Sequence, residues 1–275
     1  SPQVRLNDCW WLKYPDNTWT RAEGDKAVEE NQESAINAPA PRANAAACYY
    51  EGKIYIYGGH GGLFYSRQAF DDVHSYDVET GEWKFYEAVI GNQPNPEGRG
   101  GNSIFVMDNK LYSYGGWSAE SQYNNIVCFD LLTNEWRDAE IYNGDARWNH
   151  SAIMVEAIPS WKYFIFGGEN TSFGEGQARA FGQIVNSACY LDIETMSWST
   201  IQCETQEVPP PREYAGITYD ERLSRMVIFG GWNNGWMNDM YALSVSKIVG
   251  PPYAITEIDP PLSQMSGGVK LSIKG

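Results

Sequence analysis

The sequence predicts an all-β protein built from repeated units, and three observations lead to this prediction. First, aromatic residues make up 14% of the chain, which also holds 27 glycines and 11 tryptophans and shows little helical periodicity. Second, a short apolar run that ends in a glycine pair occurs four times, which indicates a repeat architecture. Third, each run is apolar on both faces, as in a strand buried between neighbours. The four runs are Ile54–Gly59, Leu111–Gly116, Tyr163–Gly168 and Met226–Gly231.

Each repeat has four parts. An arginine and a small-residue strand come first, and the strand with the glycine pair follows. A third strand ends in an aromatic residue or leucine followed by aspartate, and a fourth strand carries tryptophan. We expect the glycine pairs to mark places where the backbone bends sharply or packs closely, and also to leave room for large aromatic side chains of adjoining strands. We favour a structural role over a ligand role for the arginines because they recur with the repeat. The arginines are Arg42, Arg99, Arg147 and Arg212, and the tryptophans are Trp83, Trp136 and Trp198.

The chain opens partway through a unit. Residues 6–12 have the third-strand pattern, Thr18–Thr20 begins a fourth strand, and an acidic connector follows over residues 21–40. Three complete repeats come next, and the last repeat has no tryptophan strand. The predicted strands number two, then twelve, then three, or seventeen in all, which is not a multiple of four.

The glycine pairs lie 57, 52 and 63 residues apart. With Tyr76-Asp77, Trp83 and their counterparts, this spacing resembles the kelch repeat, in which each repeat is a four-stranded propeller blade. The resemblance implies a kelch β-propeller over residues 1–246, with a partial first blade, three full blades and a last blade of three recognisable strands. One blade cannot bury its own apolar faces, so blades must stack around an axis.

The remaining residues, 247–275, are predicted to be a linker and the start of a second domain. Ile258–Leu262 and Gly267–Gly275 resemble the first strands of an Ig-like IPT/TIG domain. Such a sandwich needs many more residues. We therefore expect this sequence to be an excerpt of a longer polypeptide, which starts within the propeller and stops within the sandwich.

Charge and motifs argue against several function classes. The net charge of −15 argues against nucleic-acid and membrane partners, which select basic surfaces. The five cysteines are odd in number and form no CxxC pair, so we interpret them as reduced core thiols of an intracellular protein. The three histidines have no metal-ligand spacing, and no Tyr-His pair of the kind used by copper-oxidising kelch enzymes occurs. We predict no catalytic residue, metal, cofactor or small-molecule substrate.

What remains is a binding surface for protein. In a four-stranded meander, the loop after the second strand and the connection between blades lie on one face. Tryptophan, tyrosine and arginine, the types enriched at interface hot spots, collect in these segments. The alternative is that Trp117 and Trp232, directly after glycine pairs, plug the mouth of the channel. The predicted contact residues are Arg67, Trp117, Trp148, Arg179, Tyr214, Trp232 and Trp236.

The junction between the propeller and the tail narrows the family. The run from Phe229 to Trp236, and the linker Gly250-Pro251-Pro252-Tyr253-Ala254, are similar to the N-terminal tail of alpha-type heavy chains of axonemal outer-arm dynein. This resemblance implies a cytoplasmic protein of the ciliary or flagellar axoneme, whose parent is an ATP-driven microtubule motor and whose propeller docks to a neighbouring heavy chain or an adjoining axonemal component. The alternatives are a soluble kelch adaptor that recruits a protein to an enzyme complex, and a kelch enzyme, for which ligands are lacking.

Overall fold

A computed structural model describes residues 6–22, 37–62, 68–89, 96–119, 121–139, 144–170, 182–203, 207–250, 257–259 and 272–274. Nearly all regular structure in these residues is β. In chain order the elements are β1 (Trp10–Lys13), β2 (Thr18–Arg21), β3 (Ala46–Tyr50), β4 (Lys53–Tyr57), β5 (His60–Gly61), β6 (Gln68–Ala69), β7 (Val73–Asp77), β8 (Trp83–Tyr86), β9 (Ser103–Met107), β10 (Lys110–Tyr114), β11 (Ile126–Asp130), β12 (Glu135–Asp138), β13 (Arg147–Trp148), β14 (Ser151–Val155), β15 (Lys162–Phe166), β16 (Glu169–Asn170), β17 (Gln183–Ile184), β18 (Ala188–Asp192), β19 (Ser197–Thr200), β20 (Gly216–Asp220), β21 (Arg225–Phe229), β22 (Met240–Ser244), α1 (Ser246–Val249), β23 (Glu257–Asp259) and β24 (Ser272–Lys274).

The main sheets are antiparallel meanders that follow the chain. The first blade is β3-β4-β7-β8, the second β9-β10-β11-β12 and the third β14-β15-β18-β19, while the fourth blade has only β20-β21-β22. Ahead of them β1 and β2 form a two-stranded ribbon. The predicted kelch-type blades of antiparallel strands are therefore confirmed, and the ribbon, the three four-stranded sheets and the three-stranded sheet contain two, twelve and three strands.

Blades stack face to face, and each interface is an apolar core. Tyr57 and Leu111 lie in the core between the first and second blades. Tyr114 and Tyr163 lie in the core between the second and third. Phe164 packs with Met226 of the fourth blade. Because alternate residues of a strand face opposite neighbours, both faces of an inner blade are buried, as the apolar runs predict.

The aspartate at the end of each third strand forms the turn to the fourth strand. The Oδ1 atom of Asp77 accepts the backbone N–H groups of Glu79 and Thr80, both at 3.0 Å. Asp130 and Asp192 make the same pair of bonds. These Asx-type turns bring a tryptophan opposite the residue before each aspartate. The pairs are Tyr76–Trp83, Phe129–Trp136 and Leu191–Trp198.

The glycine pairs lie where the backbone bends sharply and packs closely, which confirms one of the two expectations for them. All eight glycines have positive φ, and a Cβ atom at Gly58, Gly115 or Gly167 would lie 2.2–2.4 Å from a backbone carbonyl oxygen of the next blade. Left-handed backbone and close approach of a neighbouring main chain therefore select glycine. The expectation that the pairs leave room for aromatic side chains is wrong.

After β22 the chain enters the single helical turn α1, and further on β23 pairs with β24. The boundary at residue 246 and the start of an IPT domain stay predictions. Within the described residues, no helix has the length and hydropathy that a membrane crossing needs.

Candidate partner-binding face

The loops after the second strands and the connections between blades meet on one side of the propeller, which we call the loop face. In every blade, the residue after the arginine pairs with the residue after the glycine pair. This pairing joins the two segments, so the prediction that they share a face is confirmed. The pairs are Ala43–His60, Gly100–Trp117, Trp148–Glu169 and Glu213–Trp232.

Below this face, the repeated arginine anchors each blade. Arg212 is fully buried, and its Nη1 donates to the carbonyl of Gly230 at 2.9 Å. Its Nη1 and Nη2 atoms also donate to the two carboxylate oxygens of Asp239, at 2.6 and 3.0 Å. This is a bidentate geometry. The other three arginines also donate to the first carbonyl of their glycine pair. The structural role expected for the arginines is confirmed.

The residue two positions after each repeated arginine has a left-handed backbone conformation. These four residues form a ring around the propeller axis. Asn44, Gly101, Asn149 and Tyr214 all have φ between 54° and 67°. Backbone hydrogen bonds join them in series, from Gly101 N–H to Asn44, from Asn149 to Gly101 and from Tyr214 to Asn149, at 2.7–3.0 Å. The Nδ2 group of Asn44 then donates to the Tyr214 hydroxyl at 3.4 Å. Tyr214 of the fourth blade thus reaches the first blade across the mouth of the channel; we call this arrangement the axial ring.

Two carboxylates lie beside the axial ring. Glu169 accepts a hydrogen bond from Trp148 Nε1 at 3.0 Å, and Glu213 accepts one from Asn149 Nδ2 at 2.7 Å. Burial raises the pKa of both carboxyls, and the charge of Glu169 raises the pKa of Glu213 further. Burial at this part of the loop face thus disfavours the charged form of both carboxyls.

The predicted contact residues differ sharply in exposure. Trp236 is 82% exposed and Tyr214 is 47% exposed. Trp117 is half-buried, with its ring centroid 4.3 Å from that of His60, as the plug alternative expects. Trp232 is half-buried and pairs with Glu213 and Trp236. Trp148 is 7% exposed, so its predicted place on a contact surface is not supported.

Two of the predicted residues, Arg67 and Arg179, lie outside the described residues. The histidines serve the fold: His74 bonds Asp72 and the carbonyl of Asn37, and His150 bonds Ser103 at 2.6 Å. Cys203 is exposed, which corrects its placement in the core. Among the described residues, no three His, Cys, Asp or Glu side chains are grouped to hold a metal.

At the other end of the inner strands lies a cavity of about 720 Å³. Its lining includes Tyr49, Met107 and Trp161. Burial raises the pKa of the Cys48 thiol in this lining to about 12, so the thiol stays protonated at neutral pH and is a poor nucleophile. The cavity offers apolar packing surface and no activated nucleophile from Cys48.

Comparison with known sequences agrees with this architecture. Residues 1–175 match the KLHDC2/KLHL20/DRC7 Kelch-repeats domain. This chain belongs to the kelch-repeat family. The kelch blades seen above account for that match, since the first, second and part of the third blade lie within the matched residues.

Similarity to three relatives extends the comparison. The chain is 29% identical over 292 residues to the dynein alpha chain of the flagellar outer arm of Chlamydomonas reinhardtii, which covers 99% of this chain and 6% of that protein. It is 26% identical to acyl-CoA-binding domain-containing protein 4 of Arabidopsis thaliana, over 76% of this chain and 30% of the relative. It is 29% identical to kelch domain-containing protein 1 of Mus musculus, over 48% of this chain and 36% of the relative. The chain spans a minor part of each relative.

Proposed function

We propose that this kelch propeller is a non-catalytic assembly module in the tail of a ciliary outer-arm dynein heavy chain. On this proposal it docks through its loop face to a neighbouring heavy chain or an adjacent axonemal component. The similarity to a flagellar outer-arm dynein chain over 99% of this chain supports the assignment. A second similarity, at 24% identity over 81% of this chain, is to dynein heavy chain-like protein 2 of Plasmodium falciparum.

The observation that carries the docking role is the exposure of two aromatic side chains on the loop face. Trp236 is presented by a short loop, in which Asn233 N–H donates to the Gly235 carbonyl at 3.1 Å and Met237 N–H to that of Gly231 at 2.9 Å. A loop held by its own backbone bonds loses little conformational freedom on binding. An exposed tryptophan on such a loop is therefore suited to anchor a protein partner.

The test measures binding of the tagged chain to the extracted outer-arm heavy chains and, separately, to the axonemes from which those arms were extracted. We expect Trp236→Ala to weaken binding at least about tenfold, because hot-spot tryptophans dominate interface energy. The matched control is Leu223→Ala, since Leu223 is 51% exposed in the turn between β20 and β21, at the opposite end of the blade. Thermal unfolding of both variants should match that of the parent chain. Equal binding by the two variants would contradict the loop-face assignment.

A kelch adaptor that recruits a protein to an enzyme complex is the second candidate, favoured by the similarity to kelch domain-containing protein 1. The mass of the parent polypeptide separates the two candidates. A polypeptide of several hundred kilodaltons supports the dynein tail, and one only a few times the size of this chain contradicts it.

A further inference from the structure

The first blade carries a histidine at a position where the other blades do not. His74 is the second residue of β7, and the corresponding residues of β11, β18 and β22 are Val127, Cys189 and Tyr241. The His74 side chain is 6% exposed, and its ring centroid lies 5.1 Å from that of Phe85. Because the histidine does not recur with the repeat, the architecture of a blade alone does not require it.

Both ring nitrogens of His74 face hydrogen-bond acceptors. Its Nε2 atom lies 2.8 Å from Oδ2 of Asp72, and its Nδ1 atom lies 2.9 Å from the backbone carbonyl oxygen of Asn37. Burial raises the pKa of the Asp72 carboxyl, but the hydrogen bonds from Arg42 and His74 outweigh burial and hold this pKa below its ordinary value. The ionised carboxylate and the carbonyl oxygen can only accept. Both bonds therefore form together only when each ring nitrogen carries a proton, that is, when the imidazole is positively charged.

A neutral His74 ring has one N–H group and one lone pair, so it can keep only one of the two bonds. The bond to Asp72 is the stronger one because its acceptor is ionised. The proton therefore stays on Nε2, and the lone pair of Nδ1 then faces the carbonyl oxygen of Asn37. Two acceptors in contact do not bond, and Asn37 is exposed, so its carbonyl can turn away to water.

Two charged groups lie beside this ring. Asp72 is the acceptor of the Nε2 bond, and Arg42 donates through Nη1 and Nη2 to the two oxygens of the same carboxylate, at 2.6 and 2.7 Å. The negative charge of Asp72 favours a protonated His74, and the positive charge of Arg42 opposes it. The Asp72 carboxylate remains paired with Arg42 when His74 is neutral, so the bond to Asn37 is the one that depends on the His74 proton.

The strands on either side of β7 place no further charge against the His74 ring. The residues paired with His74 are Ile56 of β4 and Phe85 of β8. Lys84 of β8 is opposite Ser75, and successive side chains of a strand point to opposite faces. Within the described residues, Arg42 and Asp72 are thus the charged groups that face this ring.

The bond from His74 anchors the start of residues 37–42, which lead from the acidic connector into the first blade. The far end of this segment is fixed by the pairing of Arg42 with Asp72. Nearer its start, Asn7 Nδ2 donates to the carbonyl of Pro39 at 3.4 Å, which is a long bond. The bond from His74, at 2.9 Å, is therefore the stronger of these two links.

From this geometry we propose that His74 is a pH-sensitive switch that controls how residues 37–42 are held to the first blade. The protonated ring binds the carbonyl of Asn37 and fixes the whole segment. The neutral ring releases Asn37, and only the Arg42 end stays fixed. Histidine changes charge between about pH 5 and pH 8, so a rise in pH across this range loosens the segment. The switch lies on the first blade, and the proposal does not depend on the docking role of Trp236.

The test follows the full chain by NMR from about pH 5.5 to about pH 8. The reporter is the Ala38 N–H, which belongs to the same peptide group as the Asn37 carbonyl, and the heteronuclear NOE of this amide measures its fast motion. We expect the value of an ordered backbone at the lower pH and a clear fall toward that of a flexible chain at the higher pH. Long-range proton–nitrogen spectra of the His74 ring should show both nitrogens protonated at the lower pH and Nδ1 without its proton at the higher pH.

Three variants assign the response to this side chain. His74→Val introduces the residue of the corresponding position in the second blade, and His74→Gln keeps one donor for Asp72. Neither new side chain titrates, so the Ala38 amide should be flexible at both ends of the pH range. The matched control is His150→Asn, which removes a buried histidine of the third blade and should leave the pH response of Ala38 unchanged.

Two observations on the parent chain would contradict the switch: an Ala38 NOE that does not change with pH, and a His74 ring that keeps both protons across the range. A parent-like pH response in His74→Gln would assign the motion to another titrating group. Loss of the response in His150→Asn would place its origin in the third blade.

Discussion

At the residue scale, the glycine pairs show how backbone geometry constrains the sequence. Gly167 has φ of 66°, and a Cβ atom there would lie 2.4 Å from the carbonyl oxygen of Arg212. Gly230 has the same backbone region, but its nearest contact, the Met237 carbonyl, is at 3.2 Å. Strain and clash therefore combine at Gly167, whereas strain dominates at Gly230.

We predict that Gly167→Ala lowers the free energy of unfolding more than Gly230→Ala does. The left-handed conformation alone costs an alanine about 1–2 kcal/mol, and the clash with the backbone adds to this at Gly167. Urea unfolding measures the difference. The control is Gly216→Ala, whose added Cβ would meet its nearest atom at 3.7 Å without positive φ and should change stability little. Equal stabilities for all three variants would refute this account of the glycine pair.

The sequence located these residues and indicated a bent or closely packed backbone, but it did not identify the atoms that lie against them. A repeated Gly-Gly after an apolar run marks a special backbone position, and this much was predictable. The carbonyl that excludes a side chain at Gly167 comes from Arg212, in the next blade. A contact across that sequence distance depends on how the blades pack, so the pattern alone did not show it.

At the element scale, one repeated arginine in each blade connects the end of the second strand to the segments that form the loop face. Arg212 links the carbonyl of Gly230, at the end of β21, to Asp239, just before β22. The arginine thereby fixes the loop that presents Trp236. Repetition of the residue in every blade follows from this role in the blade itself.

We predict that Arg212→Leu lowers the free energy of unfolding by about 1–3 kcal/mol, because it leaves the Gly230 carbonyl without its donor and removes the bidentate pair with Asp239. Thermal and urea unfolding report the loss. Arg222→Leu provides the control, since Arg222 is exposed in the turn between β20 and β21. If the two variants unfold alike, the buried arginine does not anchor the blade.

Elements differed in how far the sequence predicted them. The long strands and the tryptophan strands were predictable because apolar runs, aspartate turns and Trp83 with its counterparts recur together. Short ribbons such as β5-β6 and β13-β16-β17 were not, since two-residue strands have no periodicity of their own. The fourth blade, which has three strands among the described residues, also had a signal, namely Ser244 in place of the turn-forming aspartate.

For the whole molecule, stability should depend on pH in a defined direction. Burial, and then the positive charge of Arg147, lowers the pKa of His150 from its ordinary 6.5 to about 3. Between these values the unfolded chain takes up a proton that the folded chain does not. Stability therefore falls as pH drops from 6.5 toward 3, by up to about 1.4 kcal/mol for each pH unit.

We predict that His150→Asn removes this part of the acid sensitivity. Asparagine occupies the corresponding position of the second blade, where Asn102 bonds Ser113 at 3.0 Å. Unfolding temperatures measured from pH 7 to pH 4 should fall more steeply for the parent chain than for the variant. Below pH 3.8 both should lose stability, because the folded-state pKa values of Asp77 and Asp192 are lowered to about 2. Parallel curves above pH 4 would contradict the role of His150.

The candidate site was predictable as a face but not as a set of contacts. Meander topology alone places the loops and connections together, so the side on which Trp236 lies was foreseen. Whether a tryptophan is exposed depends on its neighbours: Trp148 is buried and bonds Glu169, while Trp236 stands free of such packing. Residue type alone does not carry that information.

The axial ring also has a mechanical consequence. It joins the four blades at their inner ends through backbone hydrogen bonds, and the bond between Asn44 and Tyr214 spans the axis. A force that pulls the outer strands apart would therefore separate the blades at their outer strands first. The inner strands would remain joined, so closure after such a load would start from a preserved centre.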